Sequence, residues 1–207
     1  MQAPLYSKAG IMTKTTPKRI LIILGHPSSD VFCAALAEAY GATARSEGHT
    51  VRELRLGQLD FDPILHEGYR QVQPLEADLL AAQEAISWAE HLVFAYPIWW
   101  GGAPALLKGF IDRVFLPGYA FKYRPGKAFP AQLLLGRTAQ LLVTMDTPPW
   151  YFRWVYRMPG IHQLRKTTLE FCGIKPVKVA SFGPILNATE PQRARWLEQV
   201  QALARRL

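Results

Sequence analysis

The chain has 207 residues, of which 49% are hydrophobic and 19% charged, so it is long enough for one domain with a sizeable core. No uninterrupted apolar run approaches the length that spans a bilayer. The two cysteines, Cys33 and Cys172, are too few for a disulfide scaffold and fit no metal-ligand spacing. We therefore expect no metal site, and a reducing cytoplasm is the expected location.

The formal net charge is +8, and the basic residues concentrate towards the end of the chain. They are Arg153, Arg157, Arg165, Lys166, Lys175, Lys178, Arg193, Arg195, Arg205 and Arg206. Nucleic-acid surfaces use such clusters, but no recognised nucleic-acid-binding motif accompanies this one, so we expect no nucleic-acid partner. Attraction of anionic nicotinamide nucleotides or of an acidic partner explains the charge equally well, and a solvated basic face is the simplest interpretation.

The first eighteen residues, 1–18, are polar and lack the apolar core of a signal peptide. We interpret them as a disordered leader or an expression remnant, with Met12 as an alternative start. Residues 19–207 are predicted to form a single domain.

Beyond the leader, strand and helix patterns alternate. The predicted strands are Arg19–Leu24, Thr50–Leu56, His91–Tyr96, Arg137–Thr144 and Val177–Phe182. The predicted helices are Phe32 to near Gly48, Glu76–Ala89, Pro104–Phe115, Leu164–Cys172 and Glu190–Arg206. Residues 59–67 and 148–161 are predicted to be irregular. This alternation indicates a parallel sheet covered by helices on both faces.

The turn after the first strand contains no G-x-G-x-x-G and no Walker lysine, so a Rossmann turn and an NTP-binding loop are both disfavoured. Instead, His26, Ser28, Ser29 and Asp30 precede the first helix. A helix N-terminus flanked by hydroxyls and an imidazole can hold one phosphate group. The alternative is that a serine or the aspartate simply caps the helix, and the local pattern alone favours capping.

Two adjacent tryptophans, Trp99 and Trp100, follow the third strand in a loop that also contains Gly101 and Gly102. Paired tryptophans are often core or interface residues. These two, however, lie in a loop punctuated by glycine and proline, where the backbone can approach a ligand closely. The pattern favours a platform for a flat cofactor ring at the carboxyl edge of the sheet.

A third loop, Thr144–Tyr151, leaves the fourth strand at the same edge of the sheet. Thr144 and Thr147 offer hydroxyls and backbone amides, and Trp150 and Tyr151 are expected to cover a bound ring. Three loops that converge at the carboxyl ends of parallel strands predict a ligand site.

Three segments together resemble a known family, the flavodoxin-like NAD(P)H:quinone oxidoreductases. They are GHPSSDVFCAALAEAY, YPIWWGGAPALLKGFIDRVFLPGYAF and FCGIKPVKVASFGPI. The family includes the mammalian quinone reductases, the bacterial modulator of drug activity B and the ancillary subunit of glutathione-gated potassium efflux. The resemblance runs from about Arg19 to the end of the chain. It implies a flavodoxin-like three-layer sandwich, a five-stranded parallel sheet of order 2-1-3-4-5 and a homodimer with flavins near its interface.

The resemblance also implies which residues contact the flavin. The phosphate-binding turn corresponds to His26, Phe32 and Cys33. The two ring-binding loops correspond to Pro97, Ile98, Trp99, Trp100 and Gly101, and to Thr144, Met145, Asp146 and Thr147.

The chain departs from the family pattern in three places. Many members have asparagine at the position of Cys33, and Thr-Met-Asp-Thr replaces the usual Thr-Thr-Gly-Gly in the second ring-binding loop. The mammalian enzymes use a tyrosine and a histidine to stabilise flavin charge. Tyr151 and His162 are the nearest matches, although the segment from His162 to Phe171 is shorter than theirs.

The implied reaction is a two-electron transfer from NADH or NADPH, through one flavin, to a quinone or similar flat electrophile. The cofactor supplies the redox chemistry, and Trp100, Trp150 and Tyr151 are expected to form the pocket walls. FMN is expected rather than FAD, because the chain is compact and its late segment is short. Two alternatives stay open: a flavin-binding ancillary subunit of a membrane transporter and an azo- or nitro-reductase. An electron-transfer flavodoxin is disfavoured, because such proteins commonly carry an acidic surface and a T-x-T-G-x-T phosphate loop, and neither occurs here.

Overall fold

A computed structural model of the chain describes residues 16–207. Most of the predicted leader therefore lies outside the described residues. Its last residue, Lys18, joins the fold: Thr50 N donates to Lys18 O at 3.0 Å, and Lys18 N donates to His49 Nδ1 at 3.1 Å. The domain limits remain a prediction.

A five-stranded parallel sheet forms the centre of the domain. In chain order the strands of the described residues are β1 (Arg19–Leu24), β2 (Thr50–Arg55), β3 (His91–Pro97), β4 (Phe121–Lys122), β5 (Ala131–Gln132), β6 (Thr138–Thr144) and β7 (Val177–Phe182). The large sheet has the order β2-β1-β3-β6-β7, and β4 and β5 form a separate antiparallel pair. The predicted flavodoxin-like order is confirmed, with two short extra strands between the third and fourth sheet strands.

Helices cover both faces of this sheet. They are α1 (Phe32–Ser46), α2 (Ala77–Trp88), α3 (Ala105–Val114), α4 (Pro149–Trp154), α5 (Pro159–His162) and α6 (Glu190–Ala204). Alternate residues of β1 point to opposite faces: Ile20, Ile22 and Leu24 pack in the core beneath α1 and α6, and Leu21 and Ile23 pack in the core beneath α2 and α3.

Two predicted segments differ from the structure. The segment 148–161, predicted to be irregular, contains α4 and α5. The helix predicted from Leu164 begins earlier, because α5 continues into a π-helical stretch, Gln163–Glu170. The predicted C-cap glycine is confirmed, since Gly173 has a φ of +101°, in the left-handed region.

A fully buried arginine fixes the long loop between β2 and α2. The Arg113 guanidinium donates to the Pro74 carbonyl at 2.8 Å, to the Asp62 carbonyl and to Glu76 Oε2 at 2.9 Å. Burial alone would raise the pKa of Glu76, but hydrogen bonds from its own amide and from Arg113 lower it below its usual range. Arg113 thus holds this loop against α3.

Across residues 16–207, no helix combines the length and the apolar character needed to cross a bilayer.

Candidate functional site

The loops that follow β1, β3 and β6 meet at the carboxyl edge of the sheet. The ends of β3 and β6 are joined directly, because Ile98 N donates to Thr144 O at 2.8 Å. The His26 ring packs edge-on against Trp99, with 5.3 Å between the ring centroids. The three loops that the sequence singled out therefore lie side by side, where open α/β sheets bind ligands.

The N-terminus of α1 is open. Val31 is the N-cap residue, and among the described residues no side chain of the preceding turn caps the first-turn amides. The capping interpretation of Ser28, Ser29 and Asp30 is therefore wrong. The Ser28 hydroxyl instead accepts from Asp30 N at 3.2 Å, inside the turn. The free amides and the helix dipole leave this end suited to an anion.

His26 lies beside this open helix end. Its Nδ1 is 2.9 Å from both the amide N and the carbonyl O of Ser28, so the turn itself orients the ring. Its Nε2 has no hydrogen-bond partner among the described residues. The nitrogen that is not tied to the turn is therefore available to a ligand.

A cavity of about 240 Å³ opens in front of α1. It is lined by His26, Val31, Phe32, Cys33, Pro97, Ile98, Trp99, Thr144, Met145, Asp146, Ile185 and Arg193. Nine of these twelve were predicted flavin contacts. The cavity gathers all three residues of the predicted phosphate-binding turn with parts of both ring-binding loops.

Arg193, on α6, is a residue of this cavity that the sequence analysis did not single out. Its guanidinium lies over the Phe32 ring, 5.2 Å from the centroid. Its Nε and Nη2 donate to the carbonyls of Ala188 and Ile185, and its Nη1 has no protein partner within residues 16–207. Arg193 is therefore oriented by the backbone and keeps donors for an anion.

Cys33 faces the same cavity as a neutral group. Burial raises the pKa of its thiol to about 11, although hydrogen bonds from its own amide and that of Ala34 lower the pKa in part. At neutral pH the side chain is therefore a small, weakly polar contact.

The tryptophan loop is a tight two-residue turn. Trp99 N donates to Gly102 O, and Gly102 N donates to Trp99 O, both at 2.9 Å. The central residues Trp100 and Gly101 have φ values of +50° and +78°, as in a type I′ turn. Glycine adopts this conformation readily, but tryptophan does not, so the turn presents a fully exposed Trp100 at a cost in backbone strain.

A second cavity, of about 500 Å³, adjoins the first at Ile98. It is lined by Ile98, Trp100, Gly101, Thr147, Phe152, Tyr156 and Pro159. It combines apolar and aromatic residues with Thr147, which carries a hydroxyl, as small-molecule sites do.

The two residues predicted to act in catalysis fall outside this lining. Tyr151 packs edge-on against Tyr156 at 5.1 Å, and Tyr156 is the tyrosine that lines the cavity. His162 is exposed at the end of α5. Trp150, predicted as a wall, packs against Tyr151 and does not line the cavity either. The sequence feature that could have identified Tyr156 as a cavity residue is its position in an aromatic segment, six residues before His162.

Asp146, a predicted ring contact, has a structural partner. Its Oδ1 accepts from Leu186 N at 2.8 Å, and Ile185 N donates to Met145 O at 3.2 Å. These bonds fasten the loop after β7 to the loop after β6. Asp146 therefore shapes the first cavity by holding Ile185 in its wall.

Comparison with known proteins gives a consistent result. The family model described as flavodoxin-like fold matches residues 18–204. An uncharacterised NAD(P)H oxidoreductase of Haemophilus influenzae is 30% identical, over 86% of this chain and 90% of that protein. The human ribosyldihydronicotinamide dehydrogenase [quinone] is 26% identical, over 90% of this chain and 92% of that protein.

Solved structures show the same fold. Smu.1420 from Streptococcus mutans superimposes with a TM-score of 0.79 and 32% identity, over 91% of this chain and all of that one. The NAD(P)H:quinone oxidoreductase of Methanothermobacter marburgensis gives a TM-score of 0.80 at 24% identity, over 92% of this chain and 98% of that one. At that identity the likeness concerns the fold.

The sequence-based family resemblance is thus confirmed by the strand order, by the family model and by relatives that are oxidoreductases. The chain belongs to the flavodoxin-like fold family and has NAD(P)H:quinone oxidoreductases as its relatives.

Proposed function

We propose that this protein is an FMN-dependent NAD(P)H oxidoreductase that reduces quinones or similar flat electrophiles. The observation that supports this most is the pair of adjoining cavities, one beside an open helix N-terminus with Arg193 and the other walled by aromatic side chains. A ligand with a phosphate at one end and a flat ring at the other fits this arrangement.

The first cavity suits the phosphate and the chain that links it to the ring. The open amides of α1, the free Nε2 of His26 and the free Nη1 of Arg193 supply donors around one place. Asp146 is the one carboxylate among the described residues that line this cavity, and its Oδ1 accepts from the Leu186 amide.

The second cavity suits the ring and, above it, the flat substrates. Trp100 and Phe152 provide aromatic surfaces, and the loops of Gly101 and Thr147 bring backbone donors to the same place. These residues would hold the flavin ring, which would supply the two-electron redox chemistry between NAD(P)H and a quinone. The apolar walls bring flat partners into contact with the ring and exclude water from it.

Tyr156 is the residue we propose for stabilising negative charge at the ring. Its hydroxyl belongs to a side chain of the cavity lining, and a phenol O–H donates a hydrogen bond to developing negative charge. This assignment replaces Tyr151, which lies behind Tyr156. His162 is exposed at the end of α5 and does not line the cavity.

We propose FMN as the cofactor, because the two adjoining cavities provide a phosphate end and a ring end. A solved relative from Bacillus anthracis, an FMN-dependent NADH-azoreductase in complex with FMN, has the same fold at a TM-score of 0.70 and 18% identity.

We propose a homodimer in a reducing cytoplasm. Both cysteines are free and buried, which suits that compartment. Tyr69, Val72, Tyr123 and Phe129 are exposed on the β2–α2 loop and the β4–β5 hairpin, and a second copy would bury them.

Azoreduction is a second candidate activity, because the fold neighbours include azoreductases and a cavity with aromatic walls suits flat azo dyes as well as quinones. An ancillary subunit of a membrane transporter is a third candidate function, based on the basic residues in the last third of the chain. It predicts co-purification with an acidic membrane protein.

Steady-state kinetics with the FMN-loaded protein test the proposal. We expect NAD(P)H oxidation that depends on a benzoquinone acceptor, with the parallel double-reciprocal lines of a ping-pong mechanism. A faster rate with an azo dye than with any quinone would favour the azoreductase. No acceptor-dependent oxidation with either class would contradict an enzyme of this type.

A further inference from the structure

We infer that a cavity at the opposite edge of the sheet binds a small phosphate ester. This amino-edge cavity has a volume of about 330 Å³, within the range of small-molecule sites. Its lining includes Lys18, Tyr40, His91, Thr138, Lys178 and Arg206. The inference is independent of the reaction proposed above, because none of its lining residues lines either cavity at the carboxyl edge.

The cavity lies at the amino ends of the strands. Lys18 directly precedes β1, His91 and Thr138 begin β3 and β6, and Lys178 is the second residue of β7. Because the strands are parallel, their amino ends share one edge and the ring-binding loops leave from the other. None of the lining residues belongs to the β2–α2 loop or the β4–β5 hairpin, where we propose the contact with a second copy. The cavity is therefore separate from the proposed flavin site and from that contact.

Positive charge at this cavity is not balanced by the protein. Lys178 and Arg206 are exposed, and neither forms an ion pair within residues 16–207. Lys18 Nζ donates to the main-chain oxygen of Leu207, the last residue of the sequence, at 2.7 Å and keeps further N–H donors. No aspartate or glutamate is among the described residues that line the cavity. The cavity therefore favours an anion.

Buried polar side chains of the lining supply a neutral donor. His91 is 5% exposed, and its ring nitrogens lie 2.6 Å from Thr138 Oγ1 and 3.1 Å from Tyr40 Oη. Burial, followed by nearby cations, lowers the pKa of His91 to about 3, so the neutral ring has one N–H and one bare nitrogen. One hydroxyl accepts the N–H and the other donates to the bare nitrogen. The hydroxyl that accepts keeps an O–H without an acceptor among the described residues, and this proton is available to a ligand.

Gln140 adds an acceptor to the same lining. It is 4% exposed, its Nε2 donates to the Leu141 carbonyl at 3.0 Å, and its Oε1 has no hydrogen-bond partner within residues 16–207. Buried polar atoms are normally paired, so a ligand hydroxyl suits this oxygen. Ala139 and Leu203 contribute apolar surface. The cavity therefore suits a phosphate carried on a small hydroxylated carbon chain.

The arrangement of the cations favours phosphate over carboxylate. Lys18, Lys178 and Arg206 come from three separate segments, before β1, within β7 and after α6. A phosphate monoester carries up to two negative charges and three strong acceptor oxygens around the phosphorus, so it can accept from donors on several sides. The two oxygens of a single carboxylate lie in one plane. Donors from three segments therefore match the phosphate better.

Calorimetric titration of the FMN-loaded protein with glycerol 3-phosphate tests the inference. FMN fills the proposed phosphate site at α1, so that site does not contribute to the signal. At constant ionic strength we expect one binding site with a Kd below about 1 mM. Glycerol, which lacks the phosphate, and succinate, which has two carboxylates, should bind at least about tenfold more weakly.

Paired variants locate the bound phosphate. K178Q/R206Q should weaken glycerol 3-phosphate binding about twentyfold or more, because both substitutions remove charged donors from the lining. K175Q/R205Q is the matched control: it removes the same charge from the same two segments, at positions that do not line the cavity, and should weaken binding less than about threefold. FMN retention and benzoquinone turnover should be unchanged in both, so failure of this site and failure of the proposed activity are distinguished.

Nuclear magnetic resonance of the histidine rings gives a second, local readout. The His91 ring signals are identified by their absence from the spectrum of H91Q. They should move as glycerol 3-phosphate is added to the FMN-loaded wild type, because His91 lines the cavity. The signals of His162, exposed at the end of α5, should stay in place.

Four results would overturn the inference. They are no binding of glycerol 3-phosphate to the FMN-loaded wild type, binding that occurs only without FMN, equal weakening in the two paired variants, and unchanged His91 signals at saturation. Succinate or glycerol binding as tightly as glycerol 3-phosphate would overturn the assignment to a phosphate ester.

Discussion

Gly160 packs directly on Gly101: the Gly160 amide donates to the Gly101 carbonyl at 2.9 Å, and a Cβ on Gly160 would lie 2.6 Å from that oxygen. The contact joins the tryptophan turn to the start of α5. Both loops contribute to the ring cavity, through Trp100 and Gly101 on one side and Pro159 on the other. The width of the cavity therefore depends on a glycine.

Gly160→Ala should open this junction. The methyl group cannot fit between the two backbones, so we expect a loss of about 1–3 kcal/mol in unfolding free energy and weaker FMN retention. Gly102→Ala is the matched control, because a Cβ there meets only an ordinary contact at 3.9 Å. Chemical denaturation and FMN titration measure both effects, and equal behaviour of the two variants would show that the junction does not set the cavity.

Arg193→Gln should weaken FMN binding about tenfold to a hundredfold. A charge-assisted hydrogen bond to phosphate contributes roughly 1.5–3 kcal/mol, and the variant removes the guanidinium that donates it, together with the guanidinium contact to the Phe32 ring. Arg195→Gln, an exposed change on the same helix, is the control for charge. Fluorescence titration with FMN and with riboflavin, which lacks the phosphate, separates the roles. A loss for riboflavin as large as for FMN would place Arg193 away from the phosphate.

Tyr156→Phe should lower kcat about tenfold or more with little change in flavin content, because only the hydroxyl that stabilises charge is removed. Tyr151→Phe should change kcat less than twofold, since Tyr151 packs behind Tyr156. Rapid-mixing measurement of flavin reduction by NADPH follows this step alone. A larger effect in Y151F than in Y156F would restore the assignment made from the sequence.

Because of His91, the free energy of unfolding should decrease as the pH falls. Burial first, then the nearby charges of Lys18, Lys178 and His49, lower the pKa of His91 to about 3, and its ring nitrogens lie 3.1 Å from Tyr40 Oη and 2.6 Å from Thr138 Oγ1. Below about pH 6.5, His91 binds a proton in the unfolded chain but stays neutral in the folded chain. Stability is therefore lost as pH falls from about 6.5 towards 3, by up to about 1.4 kcal/mol per unit.

His91→Gln removes this proton from the balance, so the pH dependence of the unfolding free energy between pH 6 and about 4 should flatten relative to the wild type. His49, whose pKa burial also lowers, leaves a residual slope in both proteins. His162→Gln, at an exposed site, should follow the wild-type curve. Superimposable slopes for H91Q and the wild type would assign the acid sensitivity to other groups.

The strands were predictable because most are short apolar runs bounded by turn residues and the second alternates in polarity. The order of the sheet was implied by the family resemblance that the WWGG loop helps to carry. Residues 19–24 and 177–182 match the observed strands residue for residue. The predicted loops also meet as expected, since parallel strands place their carboxyl ends at one edge.

The side chains that complete the site were less predictable, because they depend on tertiary packing. Arg193 lies on the terminal helix, 167 residues after His26, and no local sequence motif indicates that it reaches the cavity. Tyr151 and Tyr156 both occur in the aromatic segment, and only the inward packing of Phe152 decides which of them faces the cavity. The predicted helix cap was wrong because the Ser28 hydroxyl accepts a hydrogen bond from Asp30 N within its own turn.

The most direct test of the central claim is the visible spectrum of the purified protein after incubation with FMN, followed by anaerobic titration with NADPH and NADH. We expect flavin absorption that remains through gel filtration, bleaching by one equivalent of nicotinamide nucleotide, and full recovery on addition of one equivalent of benzoquinone. A protein that retains neither FMN nor FAD, or whose bound flavin is not bleached by either nucleotide, would contradict the proposed function.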